Sequence, residues 1–355
     1  MSSMDFTEMG GWRAVLSTLT EGRDLTGPQA AAAMGQILSG EATPAQIAAF
    51  IIALRIKGET VDEMSGMVDA MLAAASPIDL PFEARDAIDI VGTGGAPSRR
   101  VHALNVSTMA CFVAAGAGVK VCKHGNRKAS STSGSFDLLE ALGIPLELDG
   151  PAVSLCVTRA GVGFCFARAF HPAMRFAGPV RAELGVPTVF NFLGPLSNPA
   201  RVQRQVIGVS DAQMAPTVIG VLQARGAPRA MVVHGHDGMD ELTTTGPSTV
   251  HELSNGDVRT YQLDPADLGL PVVSAESVKG GDPAANAAVA KRVFAGELGP
   301  YRDIVTLNAA AGLWVAGRVD EMSTGLALAR ASIDEGQAQA ALDALISVSN
   351  DAVGG

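Results

Sequence analysis

The 355-residue chain has no CxxC pair, no apolar run of the roughly 18–20 residues that cross a bilayer, no internal repeat and no low-complexity tract. Cys111, Cys122, Cys156 and Cys165 are scattered among apolar neighbours. That spacing argues against a zinc site or a disulfide framework and fits buried thiols in a reducing cytoplasm. Met1-Ser2-Ser3-Met4-Asp5 lacks the basic flank and apolar stretch of a secretion signal, so a cytoplasmic location is expected. Charged residues make up only 17% against 47% apolar, the balance of a compact enzyme and not of a disordered chain. The net charge of −10 disfavours a general nucleic-acid binder. A further absence is local. No acidic residue lies between Asp89 and Asp137, where Arg99, Arg100, Lys120, Lys123, Arg127 and Lys128 all fall. The stretch from Gly150 to Ala182 is also free of acids and carries Arg159, Arg168, Arg175 and Arg181. Two basic windows in an acidic chain point to a site for anionic small molecules, with a solvated basic face as the alternative.

The first eighty residues read as short punctuated helices. Thr43 caps a helix with Pro44 at its first position, Ile47, Ile51 and Leu54 form an apolar stripe, and Gly58 supplies the stop. Thr60 and Glu63 have capping-box spacing ahead of a Met64, Val68, Met71 face. Such short helices are expected to pack as a small bundle. From Ala87 the pattern changes. Strand-like runs at 88–91, 119–122, 162–166, 205–209 and 230–233 alternate with helical segments at 107–115 and 135–142, which predicts an α/β domain with a mainly parallel sheet. The segment from His171 to Leu184 is helical in character and can return the chain to the bundle.

The first strand runs into Gly92-Thr93-Gly94-Gly95, a turn whose backbone N–H groups can face phosphate oxygens. Its spacing matches neither GxGxxG nor GxxxxGK[ST], so neither nucleotide motif is supported. Asn105-Val106-Ser107-Thr108 opens the next helix. Ser107 suits an N-cap, and the same groups suit a phosphate or a magnesium ion. Lys123-His124-Gly125-Asn126-Arg127-Lys128-Ala129-Ser130-Ser131 follows a buried strand, where an α/β sheet places its ligands, and gathers ammonium, guanidinium, amide, imidazole and hydroxyl groups. Asp240-Glu241 follows another strand and offers hard oxygen donors for Mg²⁺, or a solvated acidic loop.

These motifs together resemble the anthranilate phosphoribosyltransferase family. The family pattern comprises a GTGGD turn, an N-x-S-T helix start, KHGNR followed by a serine pair, an arginine in PVRxELG, and a DE pair in HG-x-DGxDE. Here it reads GTGGA from Gly92, Asn105 to Thr108, Lys123 to Arg127 with Ser130-Ser131, Arg181 within 179–185, and Asp240-Glu241. Thr188 to Pro199, Gly280-Gly281-Asp282 and Asn308 to Ala311 add to the match, which spans nearly the whole chain in order. A pyrimidine nucleoside phosphorylase shares the fold but carries a KTGHSTGG-like stretch, which is absent.

The resemblance implies a small helical domain, 1–83 completed by about 168–190, and a large α/β domain, 84–350, of the nucleoside-phosphorylase type, usually as a homodimer. It implies transfer of phosphoribosyl from phosphoribosyl pyrophosphate to the anthranilate amine in tryptophan biosynthesis, with Mg²⁺ as cofactor. The donor is expected at Gly92, Gly95, Asn105, Val106, Ser107, Thr108, Lys123, Ser131 and Ser135, and the metal at Ser107, Asp240 and Glu241. Anthranilate is expected at Gly92, Asn126 and Arg181. His124 and Arg181 are the catalytic candidates, His124 chiefly as a positioning group. The chain departs from the pattern at Ala96, where the family has Asp, at Ala103, where Thr is common, at Phe136 and Phe170, and in a longer 97–104 loop. A paralogue with another aromatic acceptor and a non-catalytic phosphate-ligand binder are the alternative readings.

Overall fold

The computed structural model of the protein describes residues 6–94, 104–127 and 133–354. Four helices come first: α1 (Gly11–Thr20), α2 (Gly27–Ser39), α3 (Pro44–Lys57) and α4 (Val61–Ala73). Their starts are written locally. Thr26, Thr43 and Thr60 each accept a backbone N–H three residues on, and Gln29, Gln46 and Glu63 reach back to complete three capping boxes. Gly58, at φ 89°, ends α3 as expected. Glu63 also ties the helices together. Its fully buried carboxylate accepts Leu25 N at 2.9 Å and pairs with Lys57 Nζ at 2.9 Å.

The α/β part runs β1 (Ile88–Gly92), α5 (Val106–Gly116), β2 (Val121–Gly125), α6 (Ser135–Ala141), α7 (Gly150–Ala160) and β3 (Val162–Phe166). Then come α8 (Ala167–Phe170), α9 (Gly178–Leu184), α10 (Phe190–Leu196), β4 (Arg204–Gly208), α11 (Ala215–Ala224), β5 (Arg229–Gly235), β6 (Ser248–Ser254) and β7 (Asp257–Leu263). Helices α12 (Pro283–Phe294), α13 (Pro300–Val315), α14 (Met322–Asp334) and α15 (Gln337–Gly354) close the chain. The sheet order is β3-β2-β1-β4-β5-β6-β7, parallel from β3 to β5 and antiparallel thereafter. The mainly parallel sheet expected from sequence is therefore present. The β6–β7 hairpin is not among the apolar runs, because β7 is an edge strand with its residues largely exposed. No helix among the described residues is long and apolar enough to cross a membrane.

Alternate strand residues enter two apolar layers, as the pleat requires. Ile90, Val206 and Met231 pack with α5, α13 and α15, whereas Val91, Ile207 and Val232 pack with α10, α11 and the first four helices. α4 lies against α10 and α11, and α3 against α9. Two local expectations shift. The stretch from His171 to Leu184, expected to be helical in character, is made of two pieces, a 3₁₀ turn at Pro172–Arg175 and α9, since Pro172 and Pro179 both suit helix starts and interrupt a continuous ladder. The strand read at 119–122 is β2 at Val121–Gly125, so Lys123 and His124 lie in the strand instead of in the loop after it. Both find carbonyl partners inside the protein, which lets polar residues occupy a buried strand.

Candidate active site

β1 connects outward to β2 through α5, whereas the chain returns from β3 across the sheet to β4 on the other flank of β1. The carboxyl ends of β1 and β4 therefore bound the crevice in which open α/β sheets bind ligands.

Two glycines shape that crevice. A Cβ on Gly92, the last residue of β1, would lie 2.2 Å from Asp240 Oδ2, and one on Gly208, the last residue of β4, would lie 1.7 Å from the Asp240 carbonyl oxygen. Only glycine at both strand ends lets Asp240 lie across them. Gly94, at φ 68°, turns its N–H onto Asp240 Oδ2 at 2.8 Å. The neighbouring Glu241 Oε1 accepts Ser107 N, at the start of α5, at 3.1 Å. The glycine turn, the helix start and the acidic pair, 134 to 146 residues apart in sequence, thus meet. The anion that Gly92 admits in this structure is the protein's own carboxylate. Ser107 is not the helix cap that its type suggests. α5 begins at Val106, the cap position belongs to Asn105, and Asn105 makes no capping bond because its amide is engaged elsewhere.

That engagement is a buried polar cluster. Asn105 Oδ1 accepts Ser133 Oγ and Asn286 Nδ2, both at 2.9 Å, while Asn105 Nδ2 donates to Ser133 O at 3.2 Å. Asn286 Oδ1 in turn accepts Gly281 N at 2.8 Å, tying in the glycine pair ahead of α12. Val106 and Thr108 are buried on the inner side of α5, leaving Ser107 partly accessible. Gly95 and Ser131 lie outside the described residues, as do Ala96 and most of the longer loop.

Lys123 is almost wholly buried and donates to Ile90 O at 2.5 Å. Its neighbour Asp89, wholly buried, accepts Asn198 Nδ2 at 2.8 Å and His124 N at 3.2 Å. Burial pushes the Asp89 carboxyl up to about 6, against the pull of the Lys123 charge and these two donors. The His124 ring places Nδ1 2.9 Å from Gly194 O, so Nδ1 carries the proton and Nε2 is left as an acceptor with no partner among the described residues. Burial, aided by His171, holds the His124 imidazole down at about 3, so it is neutral. His171 lies with its ring 5.1 Å from that of His124, and its Nε2 likewise has no partner among the described residues. Arg181, on α9, stacks over Phe190 at 5.1 Å, has no carboxylate partner among the described residues and is held below its usual range by burial. Asn126 is exposed, and its carbonyl accepts Ser135 Oγ at 3.0 Å. Arg127 turns outward to Asp137 and Glu140. Phe136 fills an aromatic cluster with Phe164 and Phe166.

Residues 84–339 match the glycosyl transferase family a/b domain, and residues 13–75 the helical bundle domain of the same family. An anthranilate phosphoribosyltransferase from an Arthrobacter species is 52% identical over 339 residues, covering 94% of either chain. The chain belongs to the anthranilate phosphoribosyltransferase family. Among solved members, the anthranilate phosphoribosyltransferase of Thermus thermophilus superimposes with a TM-score of 0.89 at 42% identity, covering 95% of this chain and 99% of that one. The Saccharomyces cerevisiae anthranilate phosphoribosyltransferase, in complex with PRPP and Mg, gives 0.86 at 28% identity, covering 96% and 98%. Family membership accounts for the motifs read in the sequence. It leaves to geometry the roles of Asp89, Asn198, Gly208, Asp237 and Asn286. Asn198 and Asp237 fall inside matched motifs with no role read for them, and Gly208, a glycine closing a buried strand, carried a readable signal of its own.

Proposed function

We infer that this chain is an anthranilate phosphoribosyltransferase, which joins the anthranilate amine to the anomeric carbon of phosphoribosyl pyrophosphate and releases pyrophosphate. The observation that carries this reading is the convergence of Gly94 N–H and the α5 N-terminus on the Asp240-Glu241 carboxylates at the strand-end crevice. Backbone N–H groups that hold a carboxylate can hold a phosphate oxygen. Two buried carboxylates are the donor set that Mg²⁺ uses when substrate phosphates complete its shell, and Ser107 stands beside them. The bound ion would neutralise the charge that develops on the departing pyrophosphate.

The chain's own groups divide the remaining work. Lys123 spends one hydrogen on Ile90 O and has others for the donor's phosphates, which the backbone at Asn105 and the hydroxyls of Ser107 and Thr108 would also meet; Ser135, whose hydroxyl donates to Asn126 O, would have to turn to join them. Arg181, desolvated and without an acidic partner among the described residues, suits a forked contact with the anthranilate carboxylate. Asn126 and Gly92 line the acceptor's approach in this reading. His124, neutral and with an enclosed lone pair at Nε2, can accept an N–H of the aromatic amine once the acceptor enters beside the ring, and so aim the amine's lone pair at the ribose carbon. The amine is uncharged at neutral pH, so orientation matters more than proton removal.

The same reading includes the division into domains at about residue 83, with 168–190 returning to the small domain; α9 packing on α3 supports it. It also includes a homodimer, for which exposed Ile56 and Val186 offer apolar surface, and a cytoplasmic location. The test is to mix purified protein with phosphoribosyl pyrophosphate, Mg²⁺ and anthranilate and follow anthranilate fluorescence. Loss of signal with stoichiometric pyrophosphate supports the reading. No turnover of anthranilate, but turnover of a substituted benzoate or aniline, would replace the acceptor.

A further inference from the structure

Asp240 and Glu241 lie in the loop between β5 and β6, and a loop that holds two adjacent carboxylates needs something to oppose their repulsion and fix their direction. Two side chains that touch neither carboxylate do this. Asn308, in the middle of α13 and 1% exposed, clamps the residue after the pair: Leu242 N donates to Asn308 Oδ1 at 3.0 Å, and Asn308 Nδ2 donates to Leu242 O at 2.8 Å. A second hydrogen of Nδ2 goes to Ile304 O at 2.9 Å, which locks the amide against rotation. On the other side, Asp237 Oδ1 accepts Met239 N at 3.1 Å, and its Oδ2 accepts the hydroxyls of Thr243 at 2.9 Å and Thr245 at 2.7 Å. Thr243 N is held in turn by Ser248 Oγ at 3.1 Å. The backbone is therefore pinned at 239, 242 and 243, and the two residues between are the ones that reach Gly94 and Ser107.

We propose that Asn308 and Asp237 are positioning residues for the metal site, clamping the Asp240-Glu241 segment from behind. The proposal rests on the reading that this pair binds Mg²⁺. Groups one layer behind metal ligands typically govern affinity by about 10–100-fold. Asn308→Asp keeps the size and the acceptor but sets an oxygen against the Leu242 and Ile304 carbonyls. Asp237→Ala removes all three contacts, whereas Asp237→Asn keeps an acceptor for Met239 N and a polar group that the threonine hydroxyls can turn to meet.

The experiment titrates Mn²⁺ into full-length protein with phosphoribosyl pyrophosphate and no anthranilate, reading free Mn²⁺ by its paramagnetic resonance signal. Asp240→Asn is the control. KM for anthranilate and the thermal midpoint are measured alongside. The expected result is about tenfold or greater weakening of Mn²⁺ binding in Asn308→Asp and Asp237→Ala. Asp237→Asn should restore it to within about threefold, and KM for anthranilate should stay within about twofold. If Asn308→Asp fails to fold, the Asp237 pair decides. Unchanged Mn²⁺ binding in the clamp variants beside a weakened Asp240→Asn overturns the proposal alone. Unchanged binding in Asp240→Asn removes the underlying reading and the proposal with it. Parallel losses in metal and anthranilate affinity would reduce both residues to general structural supports.

Discussion

The helices α1–α4 and the strand-end crevice satisfy their polar groups in opposite ways. At the helix starts of the bundle the partners are three residues apart: Thr26 with Gln29, Thr43 with Gln46, Thr60 with Glu63, with Glu63 also reaching Leu25 N 38 residues away. At the crevice they are 146, 134 and 181 residues apart: Gly94 with Asp240, Ser107 with Glu241, Asn105 with Asn286. Short-range pairing makes a helix start wherever its residues occur. Long-range pairing exists only once the sheet has closed, so it makes the site a property of the finished fold. The bundle's polar residues should thus govern stability and the crevice's should govern chemistry.

The sharpest test of that contrast is Gly208→Ala. The added methyl would meet the Asp240 carbonyl at 1.7 Å and push the acidic pair off its place. Displacement of this order should cost about 100-fold in kcat/KM, read by steady-state kinetics with circular dichroism confirming a folded chain. A fully active variant would show that the position of Asp240 is not demanding. Next is Glu63→Ala, which strands the Leu25 and Thr60 N–H groups and leaves Lys57 with Asp24 and the Gly58 carbonyl. We expect a loss of about 3 kcal/mol in urea unfolding with both KM values unchanged; altered KM values would break the division between the two regions. Arg181→Ala should raise KM for anthranilate by about 10–100-fold, the worth of a charge-assisted pair of about 1.5–3 kcal/mol, while KM for the donor stays put. Equal shifts in both would remove Arg181 from the acceptor's carboxylate.

The smallest effect is in pH. His124 titrates near 3 when folded and near 6.5 when free, so unfolding takes up a proton between these values and stability from this group falls as pH drops from 6.5 toward 3. Asp89 acts with the opposite sign. Its folded value of about 6 exceeds the ordinary 3.8, so its contribution is present below 3.8 and lost as pH rises through 6. Asp89→Asn removes only the second contribution. Its stability relative to the parent should therefore improve from pH 4 to pH 7, by urea melts at both; a constant difference would mean that Asp89 is ionised throughout.

The same contrast explains how far the sequence could be read. Thr43-Pro44, Gly58 and Thr60-Glu63 announce helix ends because capping is a matter of three or four neighbouring residues. The strands around Ile88, Val162 and Gln205 announce themselves because parallel strands buried on both faces are mostly apolar, Asp89 and Gln205 being the buried polar exceptions. β7 does not, being exposed, and β2 is displaced because Lys123 and His124 are polar residues whose partners, Ile90 O and Gly194 O, come from elsewhere in the chain. Within the crevice, residue types conveyed the chemistry: glycines for anions, adjacent carboxylates for a metal, a lysine for phosphate. What they could not convey was that Asp240 itself would fill the space Gly92 leaves, or that Asn286 would lock Asn105, since each depends on where two distant segments of the chain meet.

The four cysteines lie in the apolar layers, all fully buried. Burial pushes the Cys111 thiol up to about 12 and Cys156 up to about 11, and raises Cys165 as well. A thiol with no accessible surface does not react with alkylating reagents. The folded protein is therefore chemically silent toward maleimides without any cysteine having to be removed. A single new cysteine at an exposed position such as Leu298 could carry a dye by itself, and the native four would take up reagent only as the molecule opens, making their labelling rate a clock for unfolding.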